Sequence, residues 1–133
     1  MTDLVFFYGT LMRGFARPGR TRLEPSLRTI GRGWIQAALF DVGIYPAAIP
    51  ASDGRVWGEV YRMDDPAPVL EELDTIEGYR PGDPDTSLYT RVETPVTLDD
   101  NRNESAWVYF YNAPLGRAPR IESGDYLEYL KVK

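Results

Sequence analysis

The sequence predicts a mixed α+β domain closed around a barrel. Several segments show strand-type alternation or continuous β-forming apolar runs, and one well-signalled helix lies between them. The length, 133 residues, suits one core and is short for two domains of usual size, so residues 1–133 are expected to form a single domain. A chain of this size needs neither disulfide nor metal to fold.

Leu4 to Tyr8 is an apolar run of β-formers stopped by Gly9-Thr10, which places a strand near the centre of the sheet. From Met12 to Arg32 the pattern dissolves into Gly, Pro and Arg. This stretch reads as an excursion, part of it helical. Its arginines (Arg13, Arg17, Arg20, Arg22, Arg28 and Arg32) read as a solvated surface rather than an anion-binding patch, because they lack aromatic interleaving and strict spacing. Trp34 to Phe40 and Val56 to Met63 alternate and read as strands. The turn chemistry between them is Gly43-Ile-Tyr-Pro46 and Ala51-Ser-Asp-Gly54, the second a plausible hairpin tip. Leu88 to Leu98 alternates again, Asp99 to Asn103 makes a polar turn, and Ala106 to Tyr111 returns as a strand apolar on both faces, suited to a curved sheet or barrel. The predicted core includes Val5, Phe7, Leu39, Val60, Leu70, Leu73, Val92, Val108 and Phe110.

The helix has clear ends. Asp64 or Asp65 can cap it, Pro66 suits its first turn, and Gly78 stops it after Glu77. With Leu70 at zero, Leu73 lies at about 300° and Glu77 at about 340°, whereas Glu71 and Glu72 point toward water. Glu77 therefore sits on the apolar stripe. Asp74 falls at the solvent-side edge of that stripe, leaving Glu77 as the buried acid candidate. The C-terminal end of the helix dipole and loss of water both raise the proton affinity of a carboxyl in that place, toward the range of a general acid/base. A frayed last turn bent out to solvent is the competing reading.

Composition narrows the chemistry further. The sequence has no Cys and no His, which excludes thiol nucleophiles, Ser/His/Asp triads, imidazole bases and Cys/His zinc sites. Its lysines are Lys131 and Lys133 alone, so a Schiff-base or phosphate-loop lysine is not expected. Acid/base work falls to a carboxylate or a tyrosine, and no cofactor or metal is implied. Net charge is −5 and the isoelectric point about 4.7, opposite to the footprint of a nucleic-acid binder. A small molecule is the expected partner, with no nucleic acid and no membrane. The N-terminus lacks a basic region and a long apolar run, so neither signal peptide nor membrane span is expected, and a cytoplasmic location is the default. Oligomeric state is left open.

A strand that ends in a small-residue turn, as Phe7-Tyr-Gly-Thr-Leu11 does, can aim consecutive backbone N–H groups into one concavity and hold an anion, and Gly9 lets a ligand approach the backbone. Such turns also occur with no ligand. Tyr8, Tyr45, Tyr61, Tyr79 and Tyr111 are candidates either to line a pocket or to pack in the core, with Tyr45 and Tyr111 kept as pocket lining.

Tyr8-Gly-Thr-Leu11 followed by Met12-Arg-Gly14, then Gly43-Ile-Tyr-Pro46, Gly58-Glu-Val-Tyr61, Leu73-Asp-Thr-Ile-Glu-Gly-Tyr79 and Tyr89-Thr-Arg91, resembles the gamma-glutamylcyclotransferase-like family. The order holds along nearly the whole chain. The branch it is most similar to is that of AIG2-like proteins and gamma-glutamylamine cyclotransferases. Gly124-Asp-Tyr126 departs from a Gly-Asp-Trp common in relatives and lies outside the core motifs.

The resemblance implies a small mixed β-barrel with flanking helices. It also implies a substrate-binding role for Tyr8, Gly9, Thr10 and Leu11, and an acid/base role for Glu77. The implied reaction closes the α-amine of a γ-glutamyl group onto its γ-carbonyl, releasing an amine and 5-oxoproline. That reaction needs no enzyme nucleophile, which agrees with a chain lacking Cys and His. The expected partner is thus a γ-glutamyl amine or peptide, its leaving amine unspecified. A non-catalytic metabolite-binding or interaction module keeping the same pocket is the competing class.

Overall fold

In the computed structural model, which describes residues 2–15 and 17–132, the N-terminal apolar run forms β1 (Leu4–Phe7) and all four side chains are buried. Tyr8 leaves the ladder and begins the following loop. The arginine-rich stretch supplies one helical turn, α1 (Arg20–Leu23), and a 3-10 turn (Glu24–Ser26) before the chain enters β2 (Leu27–Asp41). Arg28 and Arg32 thus lie in a strand. Their side chains point outward to Asp64 and Asp125, which is how a strand hides inside a polar-looking run.

β2 and β3 (Pro46–Met63) form one antiparallel hairpin, longer than the two predicted segments. Its turn is at Val42–Tyr45, where the Val42 N–H reaches the Tyr45 carbonyl at 3.3 Å. Ala51-Ser-Asp-Gly54, predicted as a hairpin tip, is instead a bulge within β3. Gln36 pairs with Arg55 and Ala37 with Pro50, so residues 51–54 oppose nothing in β2. Turn chemistry here bends a long strand rather than ending it.

The predicted helix is α2 (Pro66–Glu77). Asp65 holds the N-cap position without a side-chain bond, and Asp64 pairs with Arg28 instead. Gly78 ends the helix with φ 70°, the left-handed conformation that a residue without Cβ adopts most readily, and the Tyr79 N–H then bonds the Asp74 carbonyl at 2.8 Å. A 3-10 turn (Pro84–Thr86) precedes β4 (Tyr89–Leu98), β5 (Asn103–Tyr111) returns antiparallel to it, and α3 (Tyr126–Val132) closes the described chain.

The strands form a closed barrel in the order β1, β3, β2, β4, β5, with the parallel pair Val5 and Trp107 joining β1 to β5. Mixed α+β structure and barrel closure are as predicted. β4 pairs with β2 through Gly33 with Leu98 and Trp34 with Thr97. Beyond that short seam Val92 is 45% exposed, so its predicted core place is corrected; the other predicted core residues are buried. Among the described residues no helix is long and apolar enough to cross a membrane.

Val69, Leu70 and Leu73 seat α2 against the barrel, and Leu73 is fully buried. Replacing Leu73 with Ala is expected to cost about 2–5 kcal/mol in chemical denaturation, through lost transfer energy and the cavity left behind.

Candidate active site

The end of β1 and of β5 and the start of β4 lie at one end of the barrel, and the β2–β3 turn and the last turn of α2 meet there. Between them is a pocket lined by Tyr8, Gly9, Thr10, Leu11, Arg17, Tyr45, Pro46, Glu77, Tyr89 and Tyr109, with Phe6 and Phe7 behind. The predicted loop and the predicted acid are thus brought together. Tyr45 also lines the pocket. Tyr111 does not: it packs edge-on against Tyr89, ring centroids 5.3 Å apart, and Tyr89 and Tyr109 occupy the lining positions. Tyr61 faces a separate cavity and donates to Glu59 at 2.7 Å, and Tyr79 lies in an outer groove beside Arg91.

The loop is a tight turn closed by the Met12 N–H on the Gly9 carbonyl at 3.0 Å. Among the described residues, the N–H groups of Gly9, Thr10 and Leu11 have no acceptor. Arg20, 5% exposed, anchors the turn from behind by donating Nε to the Leu11 carbonyl at 2.8 Å. Gly9 is needed for a nearer reason than ligand approach: a Cβ there would lie 2.7 Å from Cγ of Pro46. The loop and the β2–β3 turn touch at that point.

Glu77 is partly shielded by residue surface, and its carboxyl lies inside the pocket. Burial pushes it from 4.5 to about 7, against the opposing pull of the Arg17 guanidinium. Burial raises the hydroxyls of Tyr8, Tyr89 and Tyr109, reinforced by Tyr89 at Tyr8, by Glu77 at Tyr89 and by the Asp74 hydrogen bond at Tyr109, so all three are neutral donors at physiological pH.

Two residues of this neighbourhood were not legible as such. Arg17 was assigned to a solvated surface, yet it spans the pocket wall. Its guanidinium stacks 4.5 Å over Tyr45, Nη1 donates to Thr10 Oγ1 at 2.6 Å, and Nη2 donates to the Ile76 carbonyl at 3.2 Å. No local pattern separates it from its neighbouring arginines. Asp74, placed at a solvent edge by the helical wheel, is 7% exposed because β4 and β5 wrap that side of α2 and supply Arg91 and Tyr109. Among the described residues no group of three or more His, Cys, Asp or Glu could hold a metal.

The family model described as gamma-glutamyl cyclotransferase, AIG2-like, matches residues 5–128. The chain belongs to that family. It is 34% identical over 125 residues to the gamma-glutamylcyclotransferase family protein YtfP of Escherichia coli K12, covering 93% of this chain and 96% of the relative. The solution structure of E. coli YtfP superposes with a TM-score of 0.65 at 30% identity, covering 95% of this chain and 97% of that one. A crystal structure of an AIG2-like protein from Mus musculus shares the fold, with a TM-score of 0.69 at 24% identity over 92% of this chain and 88% of that chain.

Two expectations follow from the geometry. Gly9→Ala forces Pro46 and the loop apart and is expected to cost about 1–3 kcal/mol, read by denaturation. Glu77 holds its proton more tightly folded than unfolded, so wild-type stability falls as pH rises from 4.5 to about 7 and levels off above. Glu77→Gln removes that loss. Its Tm is expected to exceed that of wild type at pH 8, with the difference shrinking toward pH 4.5.

Proposed function

We propose that this protein is a gamma-glutamylcyclotransferase-type enzyme. It converts a γ-glutamyl amine or peptide to 5-oxoproline and a free amine. The observation that carries the reading is one buried carboxyl, poised near neutrality, facing a turn with free backbone N–H groups in a family member.

In this reading the N–H groups of Gly9, Thr10 and Leu11 hold the α-carboxylate, folding the γ-glutamyl chain so that its α-amine faces its own γ-carbonyl. Glu77 as carboxylate takes a proton from the α-ammonium. The freed amine attacks the carbon of the γ-carbonyl, and the ring C–N bond forms. Glu77 returns its proton to the nitrogen of the leaving amine as the amide C–N bond breaks, and the second proton shed by the ring nitrogen follows the same route. The lactam keeps one hydrogen on nitrogen and the amine departs as an ammonium ion. A group near pH 7 suits both halves of this exchange. The neutral tyrosines around it supply a low-dielectric wall that excludes water and so disfavours hydrolysis.

The test is incubation with a panel of γ-glutamyl compounds, following 5-oxoproline by mass spectrometry. Substrates acetylated on the α-amine are expected to be inert, since they lack the nucleophile. Glu77→Gln is expected to fold, to bind a γ-glutamyl ligand, and to turn over at least about a hundredfold more slowly. Turnover near that of wild type would remove Glu77 from the mechanism.

A further inference from the structure

Residues three apart on a helix share a face, so α2 presents Asp74 and Glu77 together to the barrel. Their partners differ completely. Arg91 from β4 grips Asp74 with Nε on Oδ1 at 2.9 Å and Nη2 on Oδ2 at 3.2 Å, and its guanidinium is held between Trp107 and Tyr79 at 4.7 and 5.7 Å. The Tyr109 hydroxyl donates to the same Oδ1 at 2.6 Å. Among the described residues no hydrogen bond reaches the Glu77 carboxyl.

Three tyrosines that line the pocket with Glu77 have their single protons turned elsewhere. Tyr8, after β1, donates to the Tyr109 carbonyl at 2.6 Å, and Tyr89, on β4, donates to the Pro46 carbonyl at 3.0 Å. Arg17 gives its two terminal nitrogens to Thr10 and Ile76, and Tyr45 lies under its guanidinium. A phenol has one proton to donate. Two of the three tyrosine acceptors are backbone carbonyls, fixed by the fold. The third, Asp74, is a side chain.

We propose that Asp74, braced by Arg91, is a positioning residue of this site: by taking the single proton of Tyr109 it keeps that hydroxyl from donating to Glu77. A freed hydroxyl would stabilise the Glu77 carboxylate and weaken its hold on a proton. The consequence for turnover rests on the cyclotransferase reading, whereas the effect on Glu77 does not.

The decisive measurement is therefore a carbon-13 NMR titration of the Glu77 carboxyl, assigned by its loss in Glu77→Gln. It is made in wild type, in Asp74→Asn, and in the charge-balanced pair Asp74→Leu with Arg91→Met, each with and without Tyr109→Phe. In Asp74→Asn the amide oxygen either sits at the Oδ1 position and goes on accepting from Tyr109, or sits at Oδ2 with the NH₂ facing Tyr109 and its proton freed. The balanced pair leaves no acceptor for that proton, avoids a stranded buried cation, and is the deciding variant.

The Glu77 midpoint is expected to fall by on the order of one pH unit in the balanced pair. It should return to the wild-type value when Tyr109→Phe is added, and Tyr109→Phe alone should leave it in place. Deleting a hydroxyl cannot repair a merely structural loss. A fall that persists with Tyr109→Phe would mean a direct charge effect, and no fall would mean that Asp74 serves packing; either result overturns the proposal. The acidic limb of kcat measured alongside should move with the midpoint. Titrations as expected in a protein that forms no 5-oxoproline would defeat the cyclotransferase reading and leave this one standing.

Discussion

Seating the last turn of α2 on one end of the barrel is the interaction on which the site depends. Val69, Leu70 and Leu73 supply it, at roughly 1.5–3 kcal/mol for each fully buried aliphatic side chain. The helical repeat then carries Asp74 and Glu77 inward whether or not partners await them. Burying a carboxylate is costly, and the two acids meet that cost in different ways. Asp74 finds a guanidinium and a phenol and is held as half of an ion pair. Glu77 finds neither a hydrogen bond nor a close ion pair among the described residues, and burial favours its neutral form, so its proton becomes exchangeable near pH 7. One hydrophobic contact thus creates both a rigid brace and a titratable group.

The parts of this arrangement legible in the sequence are those encoded within one element. Pro66 and Gly78 mark the ends of α2, and the angular position of Glu77 between Leu70 and Leu73 follows from the helical repeat alone. The Tyr8–Leu11 turn is legible because an apolar run stops at a glycine. Asp74 is not, since its burial depends on Arg91 and Tyr109, which β4 and β5 bring from 17 and 35 residues away. Arg17 fails for the same reason: its acceptor on Ile76 lies 59 residues off. Tyr111 and Tyr89 are both strand tyrosines, paired directly across β4 and β5, and nothing in the local pattern of either strand says which of them lines the pocket. Residues 51–54 mislead differently, because a bulge and a hairpin tip draw on the same small and polar residues.

The chain segments meeting at the pocket are fastened to one another as well as to the barrel. Arg17 ties the turn after β1 to the end of α2, Gly9 abuts Pro46, and Tyr89 bonds the Pro46 carbonyl. Tyr8 bonds β5 through its hydroxyl and receives the Ala48 N–H of β3 at 3.3 Å. These links fix geometry: three of the hydrogen bonds end on backbone carbonyls, at Ile76, Pro46 and Tyr109, whose places the fold sets. For a reaction whose nucleophile belongs to the substrate, geometry is what the protein has to supply: the advantage of an intramolecular attack is realised only when the two ends of the substrate are held within reach. In the proposed reaction a loosened turn would be felt twice, once in how the substrate folds and once, through the Arg17 that Thr10 holds, in how tightly the acid keeps its proton. Such a site works, in that reaction, with the nucleophile that the substrate brings, and its chemistry lies in where a single proton is allowed to go.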